Sequence, residues 1–294
     1  MLNLRGDQAA GLRRLFGRPR LRIVCFAAGS IGVGKSVSVA NLAACLARQG
    51  KEVLVVDENS DDSVAACYGV LVRHDLQQVV RCEKPLSEVI LSVAPGVRVL
   101  PAAKVVQRLA TLSAAEQRIL LDSFGQIGRP ADIVLVDTSL DHPLGFSPLG
   151  LAAHDTVIVV SPNGASITDA YALIKKVSLG YARKHFRILV NKARSASDAQ
   201  AVHDNIAAVA HSRQLARLDY AGYVPLDESL RQASRLCQPV AALFPEAPSA
   251  MAYQNVVREL LNWPGGDADP RGLEHFVQQL LHLSQRIDPT AIYA

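Results

Sequence analysis

The chain has 294 residues, 49% of them hydrophobic and 20% charged, with a formal net charge of +4. That is the balance of an ordinary globular protein with a substantial core, in one large or two small α/β domains, and the positive excess is too modest to argue for nucleic acid. Five scattered cysteines, Cys25, Cys45, Cys67, Cys82 and Cys237, lack C-x-x-C spacing, which argues against a disulfide framework or a zinc site. No apolar stretch approaches the roughly 18 residues of a membrane span, and the N-terminus lacks the apolar core of a signal peptide, so a reducing, cytoplasmic location is expected.

Six arginines, Arg5, Arg13, Arg14, Arg18, Arg20 and Arg22, crowd the first 22 residues with Asp7 as the only acid. Ala9, Leu12 and Phe16 fall at helical spacing, and Gly17-Arg18-Pro19-Arg20 reads as a breaker and linker. The apolar run 22–28 then predicts a strand. It leads into Gly29-Ser30-Ile31-Gly32-Val33-Gly34-Lys35-Ser36, followed by Val37 and a helical run to Gln49. This fits G-x-x-x-x-G-K-[ST], the phosphate-binding P-loop, in the strand-loop-helix context that the motif requires. Its glycines let successive N–H groups turn inward, and the helix start adds its positive dipole end. Lys35 is placed for the β- and γ-phosphates, and the Ser36 hydroxyl for Mg²⁺.

Two continuous apolar runs close on a carboxylate, 53–57 on Asp57 and 133–137 on Asp137. Each looks like a parallel strand buried on both faces, with its Asp at the C-terminal end where open α/β sheets bind ligands; the second matches a Walker B strand whose Asp serves Mg²⁺. Further strands are expected at 97–100, 156–161, 186–191 and 221–225. Helices are expected at 113–126, 167–183, 197–213, 227–236 and 247–262. The alternation predicts a three-layer α/β P-loop NTPase fold, a mainly parallel sheet of about seven strands with helices on both faces. The expected divisions are residues 1–20, the domain 21–263, and a linker and amphipathic helix at 264–294. In that last helix Leu273, Phe276, Val277, Leu280, Leu281 and Ile287 share a face. Its polar face carries Arg286 but no lysine, so docking on the body or a partner competes with a membrane surface.

GTPases of this kind carry N-K-x-D after a late strand, the Asp reading guanine. Here Asn191-Lys192-Ala193-Arg194 puts Arg at the Asp position, leaving Asn191 for an adenine amine or N7. ATP is expected over GTP. A strand-end turn residue is the alternative reading of Asn191.

The P-loop, Asp57, Asp137, Asn191 and the strand order resemble the MinD/ParA class of deviant Walker-A ATPases. Asp7-Gln8-Ala9-Ala10-Gly11-Leu12-Arg13, Ile167-Thr168-Asp169-Ala170-Tyr171-Ala172-Leu173-Ile174-Lys175 and Gly222-Tyr223-Val224-Pro225-Leu226-Asp227 are similar to its FlhG/FleN branch of flagellar number regulators. The resemblance covers nearly the whole chain. It implies a cytoplasmic ATPase that forms an ATP-sandwiched homodimer, associates peripherally with the inner face of the membrane, and limits flagellar number or placement. The implied partners are the signal-recognition-type GTPase FlhF, a flagellar transcription activator and switch-complex proteins. Residues 1–20 would activate the GTPase through Asp7, Gln8, Leu12 and Arg13, with Gln8 offered to its active site. Lys35, Asp57 and Asn59 fall at the catalytic positions, Ser36, Asp57 and Asp137 at the metal positions, and Pro225 and Asp227 beside the nucleotide with the loop residues and Asn191.

The departures are as informative. The family P-loop reads K-G-G-x-G-K-[ST], its first Lys crossing the dimer to the other subunit's phosphates; here Ser30 and Ile31 replace the Lys and the first Gly. The D-x-D after strand two reads Asp57-Glu58-Asn59, an amide where a water-activating carboxylate stands. Asn cannot act as a base and Ser30 cannot neutralise phosphate charge. Two readings follow, a weak ATPase that switches with nucleotide, or an ATP-binding scaffold with little turnover. DNA segregation of the ParA kind would call for a basic stripe, which the body of the chain lacks.

Overall fold

Runs of Val, Ile and Leu with no polar break are buried on both faces only inside a parallel sheet covered by helices. That is their place in the computed structural model of the chain, which describes residues 21–286 apart from 62, 126–130, 141, 143–145 and 265–271. The segment 1–20, with Asp7, Gln8, Leu12 and Arg13, and Ile287 in the tail lie outside the described residues. The strands are β1 (Arg22–Ala27), β2 (Val53–Asp57), β3 (Leu91–Ala94), β4 (Val97–Pro101), β5 (Ile133–Asp137), β6 (Asp155–Val160), β7 (His185–Ala193) and β8 (Arg217–Pro225). They form one sheet in the order β3-β4-β2-β5-β1-β6-β7-β8. Every pair is parallel except β3–β4.

The expected count of about seven thus becomes eight. The added strand is β3, four residues at the sheet edge joined to β4 by a turn at Pro95-Gly96, too short and too exposed to carry a periodic signal. β8 also starts earlier than expected, because its first half, Arg217-Leu218-Asp219-Tyr220, alternates with polar residues at the other edge of the sheet.

The helices are α1 (Lys35–Arg48), α2 (Leu76–Val80), α3 (Leu86–Val89), α4 (Ala103–Val106), α5 (Ala114–Gly125), α6 (Pro148–Ala152), α7 (Gly164–Tyr181), α8 (Ala196–Ser212), α9 (Glu228–Arg235), α10 (Val240–Leu243), α11 (Pro248–Asn262) and α12 (Gly272–Arg286). Alternate residues of β1 feed two cores. Val24, Phe26 and Ala28 join α1, α9, α10 and α11 on one face of the sheet; Ile23, Cys25 and Ala27 join the remaining helices on the other.

α12 belongs to the second core. Phe276, Val277, Leu280 and Leu281 are buried there beside Leu109, Leu120, Phe124 and Leu149, so the amphipathic face of the tail is seated on the protein's own α5 and α6. Among the described residues no helix is long and apolar enough to cross a membrane.

Beyond the end of α11, Trp263 is buried against two guanidinium groups, Arg187 at 4.1 Å and Arg22 at 5.6 Å from its ring centre. Arg22 also donates to the Trp263 carbonyl at 3.0 Å, and both arginines donate to Asp155.

Candidate nucleotide-binding site

The P-loop leaves the C-terminal end of β1 in the middle of the sheet and delivers the chain into α1. Two of its glycines are dictated by close approach. A Cβ on Gly29 would lie 2.2 Å from the backbone of Asp169 in α7, and one on Gly34, which has φ +86°, would lie 2.4 Å from Asn191 Nδ2. α1 carries no acidic residue in its first turn, so the positive end of its dipole is left for an anion.

The loop is held from outside by two consecutive residues of β7. Asn191 Nδ2 donates to the Val33 carbonyl at 2.7 Å, and Lys192 Nζ donates to the Gly32 carbonyl at 2.6 Å. Asn191 Oδ1 in turn accepts from the Lys192 backbone N–H at 3.0 Å. Lys192 takes φ +61° at a register shift between β7 and β8, a conformation that a side chain adopts only at a cost. Asn191, the residue expected beside adenine, therefore gives an amide N–H to the loop. It is 2% exposed, and its amide is first of all a clamp on the loop.

At the strand ends Lys35 makes a buried ion pair with Asp137, the two 8% and 0% exposed, and the Ser36 hydroxyl also bonds Asp137. Burial pushes the Asp137 carboxyl up while the Lys35 ammonium opposes it. Asp57, opposite Asp137 on the neighbouring strand, is raised by burial and then by the Asp137 charge, against hydrogen bonds from Asn59 and Val64. Asn59 bridges the two. Its Nδ2 lies 3.0 Å from Asp57 Oδ1 and 2.9 Å from Asp137 Oδ2, and 3.1 Å from the Asp137 carbonyl. The catalytic position assigned to Asn59 is thus filled by a donor committed to two carboxylates, where an Asp would add a third like charge.

A cavity of about 700 Å³ opens over these groups. It is lined by residues 30–37 of the loop, Asn59, Asn191, Lys192, Pro225, Leu226 and Asp227, and also by Leu230 and Arg231, which the sequence reading did not single out. Asp227 caps α9 by accepting from Ser229 N–H at 2.9 Å, and it accepts from the Ser249 hydroxyl at 2.6 Å, so its carboxylate is engaged in the fold. Ser30 borders the cavity, while Ile31 beside it is 85% exposed.

Glu58 was also missed. It is 3% exposed on the far side of β2, where the Ser147 hydroxyl donates to Oε1 and the Ser139 N–H to Oε2 at 3.1 Å. It ties the segment after Asp137 to the N-cap of α6, the helix beneath α12. Strand alternation was the available signal, since a residue next to a site-facing Asp turns to the opposite face.

Ser36, Asp57 and Asp137 supply hydroxyl and carboxylate oxygens, the hard donors Mg²⁺ takes. The Asp137 charge already raises the proton affinity of Asp57, which a divalent cation would relieve. Among the described residues no cluster of three or more His, Cys, Asp or Glu could hold a metal ion.

Residues 21–188 match the AAA domain family AAA_31. The antiactivator FleN of Pseudomonas aeruginosa is 33% identical over 267 residues, 89% of this chain and 94% of that protein. The chain belongs to the FlhG/FleN branch of the MinD/ParA class. The flagellum site-determining protein YlxH of Helicobacter pylori, 26% identical over 88% of this chain and 90% of its own, is similar to it as well. Among solved structures, MinD of Aquifex aeolicus superposes with a TM-score of 0.63 at 19% identity, covering 83% of this chain and 98% of that one. MinD of Pyrococcus horikoshii, determined with Mg-ADP, gives 0.59 at 21%, covering 82% and 96%. The fold of this FlhG/FleN-branch chain is accordingly that of the MinD/ParA P-loop NTPases.

Proposed function

We propose that this chain is a MinD-like ATP-binding protein of flagellar regulation, acting on flagellar number or placement from the cytoplasm and the inner face of the membrane. The observation that carries the nucleotide reading is the P-loop held curled by Asn191 and Lys192 above a buried Lys35–Asp137 pair. In this reading the loop N–H groups and the α1 dipole receive the phosphates, and Lys35 moves from Asp137 to the β- and γ-phosphate oxygens. Ser36, Asp57 and Asp137 would hold Mg²⁺, which supplies charge neutralisation on the phosphates. Asn59 orients a water by its amide but takes no proton from it. Arg194 at the guanine-reading position favours ATP.

Residues 1–20 serve as the activating segment for an FlhF-type GTPase through Asp7, Gln8, Leu12 and Arg13. Residues 21–263 form the ATPase domain, and 264–294 the linker and helix. Homodimerisation with ATP, and contacts with the flagellar transcription activator and switch-complex proteins, complete the proposal. A second reading, an ATP-binding scaffold with little turnover, draws on the committed Asn59 amide and on Ser30, which has no charge to offer a partner's phosphates.

Equilibrium binding of labelled ATP and GTP, with steady-state phosphate release, tests both. ATP is expected to bind at least 10-fold tighter, with turnover that rises in a Ser30→Lys, Ile31→Gly, Asn59→Asp variant. Absence of ATP binding defeats the proposal, and brisk turnover by the unaltered chain defeats the scaffold. In parallel, a peptide of residues 1–20 is expected to speed GTP hydrolysis by an FlhF-type protein, and Gln8→Ala to abolish the effect.

A further inference from the structure

A second cavity, of about 600 Å³, lies at the opposite end of the sheet from the P-loop. It is formed at the N-terminal ends of β7 and β8, where His185 pairs with Arg217. Asn191 lies six residues after His185 along β7, about 20 Å at roughly 3.3 Å per residue. One wall is apolar, from Leu151 of α6, Tyr181 of α7 and Leu283 of α12; the other side is basic, from Arg183, Lys184, His185 and Arg217.

Among the described residues no carboxylate lines the cavity. Asp219, bonded to two of the lining residues, accepts from His185 Nε2 at 2.7 Å, Arg217 Nε at 2.9 Å and, behind them, Arg187 Nη1 at 3.3 Å. Asp155 behind it is shared by Arg22 and Arg187. Among the described residues, Arg22, Arg183, Lys184, Arg187 and Arg217 thus stand against two carboxylates, Asp155 and Asp219, and the surplus is positive. Lys184 has no ion pair among the described residues and is exposed. Arg183 is fixed by donating to the carbonyls of Leu151, Ala153 and His154, so the carbonyl edge that would repel an anion is covered by a guanidinium.

We propose that this cavity binds a phosphate ester, its phosphate held between Lys184, Arg217 and the Arg183 edge and its organic part laid against Leu151, Tyr181 and Leu283. Guanidinium and ammonium donors converging from several directions suit a tetrahedral oxyanion, and the volume falls in the range of small-molecule sites, well beyond a bare phosphate. The chemistry is shared by soluble phosphate esters and phospholipid headgroups. Because Leu283 belongs to α12, occupancy also steadies the seated helix, by the linkage of any ligand that prefers one state. The site is separate from the proposed nucleotide site and does not rest on it.

The test is calorimetric titration of the full chain with phenyl phosphate, with dihexanoyl phosphatidylglycerol below its micelle concentration, and with dihexanoyl phosphatidylcholine. Lys184→Gln, in an exposed side chain, is expected to weaken binding 3- to 10-fold, and Lys184→Gln with Arg217→Gln more than 10-fold, while ATP binding is unchanged. Lys35→Ala, which disables the P-loop, is expected to leave phosphate-ester binding intact. Binding of both phenyl phosphate and phosphatidylglycerol supports a general phosphate-ester site, and of phosphatidylglycerol alone a headgroup site. Loss of binding in Lys35→Ala with retention in Lys184→Gln would put the phosphate in the P-loop and overturn the proposal. So would no binding at all, or binding that Lys184→Gln with Arg217→Gln leaves unchanged.

Discussion

Replacing Glu58 by Gln is expected to stabilise the protein above neutral pH and to have no such effect in acid. Burial pushes the Glu58 carboxyl from its ordinary value near 4.5 to about 7, against the hydrogen bonds of Ser147 and Ser139 and the Lys35 charge. Below pH 4.5 the group is protonated in folded and unfolded chains alike and contributes nothing. Between 4.5 and 7 the folded state holds the extra proton, so stability falls as pH rises, and above 7 the folded chain carries a buried charge that the unfolded chain hydrates. At about 1.36 kcal/mol per pH unit the cost reaches about 3 kcal/mol. Gln removes the charge yet keeps both contacts, because its carbonyl accepts from the Ser139 N–H while its amide donates to the Ser147 hydroxyl, which both gives and takes hydrogen bonds. Urea unfolding followed by circular dichroism is expected to show a gain of about 2–3 kcal/mol at pH 8 that vanishes near pH 4.5. A loss at pH 8 would mean that the carboxylate is ionised and favourably paired, the same difference at both pH values that ionisation plays no part, and either would defeat the argument from burial.

Asn191→Ala leaves the Val33 carbonyl and the Lys192 N–H without their partner, so ATP affinity is expected to fall about 30-fold, the equivalent of about 2 kcal/mol, in equilibrium titration. Unchanged affinity would show that the loop holds its curl without the clamp. Deleting residues 271–294 unseats Phe276, Val277, Leu280 and Leu281, each worth about 1.5–3 kcal/mol of burial, and opens the groove around Leu109, Phe124 and Leu149. A lower melting temperature and new binding of an apolar dye are expected; neither change would mean that α12 contributes nothing to the fold.

The central strands were legible because a strand buried on both faces has nowhere to put a polar residue until it reaches the ligand edge, and 53–57 and 133–137 obey that to the residue. The P-loop was legible for a related reason, since its glycines answer to contacts with Asp169 and Asn191 that admit no side chain. β3 was not, because an edge strand of four half-exposed residues has no pattern to distinguish it from a loop. The roles of Asn191 and Asn59 were hidden differently. Their chemistry was plain, but which acceptors they face depends on how β7 and β2 are placed against the loop and β5, and that is decided by the whole sheet. The tail left two surfaces open to its apolar face, and the choice lay in α5 and α6, more than a hundred residues upstream.

Trp263 is the only tryptophan in the chain. With a guanidinium stacked on its ring and its carbonyl held by Arg22, its emission reports on the seam that joins β1, β6 and β7 to the end of α11. The bonds that hold it come from residues near the N-terminal ends of those strands, so nucleotide arriving at the other end is expected to leave the signal nearly dark to binding. Intrinsic fluorescence in this protein is therefore a gauge of unfolding rather than of ligand, and nucleotide titrations call for a label placed at the loop itself.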